Sequence, residues 1–152
     1  MAEPPPASAD PSVDLGARLE ALGRSLGERE AAHLDSLDRA RACARSVREE
    51  VAKALERFHA AAAEAGAPHL RVELGALRTD DKHLRAVEFD LTRGRHRAIV
   101  TAKSRGEVTL VGPFRVGKTE GPCLTFPFEA GAELRDALAD FVCRFLEEAA
   151  TP

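Results

Sequence analysis

From Ser12 to Gly66 the chain contains no proline, and its apolar residues fall mostly three or four positions apart: Leu15, Leu19, Leu22 and Leu26, then Leu34, Leu37, Ala44, Val47, Val51, Ala54, Leu55 and Phe58. That spacing is the period of one helix face. Ala, Leu, Arg and Glu, all good helix formers, dominate the stretch. Ser12 suits an N-cap and Gly66-Ala67-Pro68 is a stop. A helical, coiled-coil-like segment over 13–66 is therefore expected. Two weak points interrupt it. Gly23 and Gly27 each cost about 1 kcal/mol relative to Ala, and the step from Leu26 to Leu34 carries charge at Arg29 and Glu30. If the helix breaks, it breaks near 27–33, and periodicity leaves open whether the two parts continue in line or fold back.

After Pro68 the period drops from 3.6 to 2. His69–Leu74 and Val87–Leu91 alternate, Arg93-Gly94-Arg95 turns the chain into His96–Lys103, Ser104–Gly106 turns it into Glu107–Val111, and a fifth strand spans about Pro122–Phe128. Short links between successive strands mean an antiparallel meander. Residues 131–149 then carry Leu134, Leu138, Phe141, Val142, Phe145 and Leu146 at helical spacing, a closing amphipathic helix packed on the sheet. The expected fold class is α+β: a disordered Pro-rich leader (1–12), the long helical segment (13–66) and an α+β domain (67–150) with a five-stranded meander and C-terminal helix. At 152 residues there is room for one such core.

The motifs that carry chemistry are weak in context. Gly112-Pro-Phe-Arg-Val-Gly117-Lys118-Thr119 matches the phosphate-loop pattern G-x-x-x-x-G-K-[ST]. A working phosphate loop leads from a strand into a helix whose N-terminus faces the phosphates. Here Pro122 and Pro127 and the alternating Leu124, Phe126 and Phe128 follow instead, so a hairpin loop is the plainer reading and phosphate or nucleotide binding an alternative. Between Arg78 and Lys118 lie ten Lys or Arg against five acids. Arg93, Arg95 and Arg97 share a parity across the turn and could face a nucleic acid or an acidic protein together, although no aromatic residue is interleaved for base stacking. The five histidines and three cysteines show no metal-ligand spacing. Cys123 and Cys143 read as small core hydrophobes. No catalytic constellation, cofactor motif or metal site emerges.

A net charge of −3 gives no argument for nucleic acid or membrane from overall charge. No apolar run approaches the ~20 residues that cross a bilayer, and the first residues lack the basic and apolar regions of a secretory signal. A cytoplasmic location is the default. What requires explanation is the helical seam, because exposed leucines at this density favour association. The expected function is a non-enzymatic oligomerising or adaptor protein, a homodimer or the partner of another helix, with Leu34, Leu37, Val47, Val51, Leu55 and Phe58 carrying the contact. A nucleic-acid-binding module at the basic hairpin is the second expectation.

Overall fold

A computed structural model describes residues 11–80, 85–117 and 121–150. The fold is α+β, with a long N-terminal helix, an antiparallel sheet and a C-terminal helix. The expected leader lies outside the described residues up to residue 10, while Pro11 and Ser12 are already helical. A proline fits there because the first helical N–H groups have no intrahelical acceptor.

Helix α1 (Pro11–Glu64) is continuous through 27–33. Two glycines among good helix formers weaken a helix without supplying the turn chemistry that ends one. The real stop is Gly66 at φ 95. Its N–H bonds Ala63 O at 3.0 Å, and Ala67 N–H bonds Ala62 O at 2.8 Å, the paired bonds of a Schellman cap.

The sheet holds six strands: β1 (Glu73–Leu74), β2 (Arg78–Thr79), β3 (Ala86–Arg93), β4 (His96–Lys103), β5 (Glu107–Arg115) and β6 (Cys123–Pro127). The path is β1-β3-β4-β5-β6, with β2 also on β3, and each pairing is antiparallel. Three details correct the expected meander. The first strand shrinks to two residues, because the Val72 N–H is taken by His59 Nε2 at 3.0 Å. β2, unforeseen, continues the same edge after a one-residue offset, since Leu74 pairs with Leu91 but Arg78 with Glu88. Gly75 lies in that bulge directly against Asp90 Oδ1, leaving no room for a Cβ. Third, β5 runs on to Arg115. Gly112 and Pro113 together oppose Ala98, where the β4–β5 register shifts. A bulge is where a strand accepts a proline and a left-handed glycine, and Gly112 has φ 110.

One sheet face is apolar. Over Phe89, Leu91, Val100, Val108 and Leu110 pack Val47, Val51 and Leu55 from α1 and Leu134, Leu138, Phe141 and Phe145 from helix α2 (Gly131–Ala150). Leu37, Ala40 and Ala44 cover Val87 and Ala102 in a second cluster. Thus α1 contributes core residues from Leu37 onward. The chain divides into two compact units between Asp35 and Ser36, inside the helix.

Candidate functional site

The six residues expected to form an interaction seam do not share one environment. Leu37, Val47, Val51 and Leu55 are buried in the chain's own core, and Phe58 is partly buried with its ring edge-on to His59 at 5.8 Å. Only Leu34 is exposed. The exposed leucines of α1 lie nearer its N-terminus. Leu15, Leu19, Leu22 and Leu26 are 48–57% exposed, as is Leu34 at 51%. At ~100° per residue the first four fall within about 60° of arc, and Leu34 lies about 80° beyond Leu26. The charges beside them are paired along the helix, Asp14 with Arg18 at 3.7 Å and Glu20 with Arg24 at 2.7 Å. The result is a narrow leucine strip of four positions on a polar helix.

The basic hairpin divides its arginines. Arg93 pairs with His96 and Thr92 with Arg97 across the two-residue turn, so residues of opposite parity share a face and Arg93 and Arg97 lie on opposite sides. Arg93 Nη1 donates to Ala149 O at 2.7 Å, where a cation also meets the negative end of α2. Arg97 binds Asp90 Oδ2 through Nη2 at 2.8 Å and Nε at 2.9 Å. Arg95 alone is exposed. Shared parity holds along one strand but is reversed by a two-residue turn, which is why the expected single cationic face is absent from this hairpin.

The polar side of the sheet is a chain of paired groups. Arg78 reaches Glu88 at 2.8 Å and Asp90 at 3.2 Å, and Thr101 Oγ1 donates to Glu88 at 3.3 Å. Partial burial opposes the Arg78 charge, but Glu88 and Asp90 more than offset it and raise its pKa. This network assigns Arg78 and Arg97 to sheet structure, each balanced by a carboxylate.

In the phosphate-loop-like stretch, Gly112–Arg115 are strand residues and Gly117 takes a left-handed turn at φ 103. The chain proceeds to β6, with no helix between the two strands among the described residues. Lys118 and Thr119, like His83, lie outside the described residues.

The described residues contain no cluster of His, Cys, Asp and Glu suited to a metal. Cys123 and Cys143 are exposed instead of core-like, and all three cysteines are free thiols. Cys43 is partly buried, which pushes its thiol pKa up. Cys143 borders a feature that sequence spacing does not show: an apolar groove of ≈ 380 Å³ between α1 and α2, walled by Val51, Leu55, Phe58, Leu138, Val142 and Leu146. No described helix is long and apolar enough to cross a membrane. Compared with family models, curated proteins and solved structures, the chain matches none.

Proposed function

We propose that this chain is a non-enzymatic interaction protein that associates through the leucine strip Leu15, Leu19, Leu22 and Leu26. The observation that carries the reading is the contrast within α1. Its later apolar residues are buried by the chain's own sheet, while these four remain about half exposed. Full burial of a leucine is worth roughly 1.5–3 kcal/mol, so covering the exposed half yields about 1 kcal/mol per side chain. Two such strips together gain ~8 kcal/mol, comparable with the 4–15 kcal/mol that association costs. The contact is accordingly weak and dependent on concentration, as suits an adaptor that exchanges partners.

The test compares the full chain with Leu19→Asp/Leu26→Asp, whose positions are exposed, so the fold survives. Light scattering of the pure proteins and affinity purification from the producing cell are run on both, with far-ultraviolet circular dichroism to check helicity. At least one associated species, either a second copy or another protein, should accompany the wild type and be lost from the variant. Identical association profiles for two equally helical proteins would contradict the reading.

A further inference from the structure

Resting on that helix-pairing reading, we infer that the partner of the leucine strip is the same segment of a second copy, running antiparallel. The spacing Leu15, Leu19, Leu22, Leu26 is the same in both directions along the helix. Antiparallel pairing therefore sets Leu15 against Leu26 of the second copy and Leu19 against its Leu22, then repeats both contacts through the two-fold axis. One surface is complementary to itself, as a closed dimer requires.

Charge agrees with a like partner. From Asp14 to Glu30 the helix carries Asp14, Glu20, Glu28 and Glu30 against Arg18, Arg24 and Arg29. Two of these acids are already paired within the helix. A second copy meets little net repulsion, and no excess charge calls for an oppositely charged partner.

The direction comes from the flanks. Gly16 and Gly23 directly follow Leu15 and Leu22, seven residues apart, and a Cβ on either would meet nothing within 4 Å. Nothing around these positions in the single chain requires glycine, although glycine weakens a helix. In an antiparallel pair, equivalent flanking positions face each other, so Gly16 lies across from Gly23 of the second copy and the backbones approach closely along that side. A parallel pair would instead set Gly23 beside Arg18 of the second copy, where a glycine serves no purpose.

Spin labels distinguish the directions. In the full chain with Cys43, Cys123 and Cys143 replaced by alanine, single labels are placed through Ala21→Cys or Glu28→Cys, both off the strip. Light scattering at the same concentrations verifies the mass. In the antiparallel dimer the two copies of residue 21 are offset by about 1.5 Å along the axis and those of residue 28 by about 22 Å. The expected result is a dimer whose pulsed electron–electron distance is longer at 28 than at 21 by about 10 Å or more. Equal distances at both sites in a dimer would overturn the antiparallel assignment. A monomer throughout the concentration range would overturn the second copy as partner. In either case, loss of an associated species in Leu19→Asp/Leu26→Asp still upholds the helix-pairing reading.

Discussion

His59 shows how one residue can connect helix, loop and solution conditions. Its Nε2 accepts the Val72 N–H at 3.0 Å, tying the end of α1 to the chain that enters the sheet. Only neutral imidazole has that lone pair. Partial burial, with Arg71 nearby, lowers the His59 pKa below 6.5. The unfolded chain then takes up the proton first, so the contribution of His59 to stability is complete above pH 6.5 and is lost as pH falls through the lowered folded value. His59→Gln keeps an acceptor and removes the titration. Denaturant midpoints between about pH 7.5 and 5.5 should fall less in that variant than in the wild type, by the part that His59 contributes. Parallel pH profiles would show that this hydrogen bond is not coupled to stability. At the same scale, Gly112 illustrates how a motif can mislead. Its φ of 110 and a Cβ position 3.1 Å from Arg97 O demand glycine for the bulge, with no phosphate involved.

Among the elements, those with long periods were legible and those without were not. Strands β3 and β4, helix α2 and the full reach of α1 each repeat an apolar period often enough to identify the element. β2 is two residues on an edge and carries no period at all. β5 outran expectation because glycine and proline normally punctuate a strand, whereas here a bulge accommodates both. The arginines of the hairpin were placed on one face because parity was carried through a turn that reverses it. Helix α1 also runs unbroken through 27–33, where periodicity had left a break open, and its glycines differ in position. Gly27 lies off the leucine strip in space large enough for a Cβ. Gly27→Ala should therefore stabilise the helix by about 1 kcal/mol, read as higher helicity in thermal melts, with association unchanged. A weaker helix after that substitution would mean that Gly27 is needed by a contact of its own.

For the whole molecule, periodicity alone could not tell which half of the α1 seam the chain covers itself. Leu19 and Val51 obey the same spacing rule; one is 56% exposed and the other 2%. The difference lies in the sheet and α2, which form a core with α1 only from Leu37 onward. The same helix thus serves as core in the unit that begins at Ser36 and as a leucine-faced surface before Asp35. The groove between α1 and α2 was equally invisible, since its two walls come from helices separated in the chain by the whole sheet. The most direct measurement of this division is amide hydrogen exchange along α1 at several protein concentrations. Protection of residues 36–64 should be strong at every concentration, while that of 14–34 should rise with concentration and stay low in Leu19→Asp/Leu26→Asp. Uniform protection along the helix, unaffected by concentration or by the two aspartates, would contradict the account.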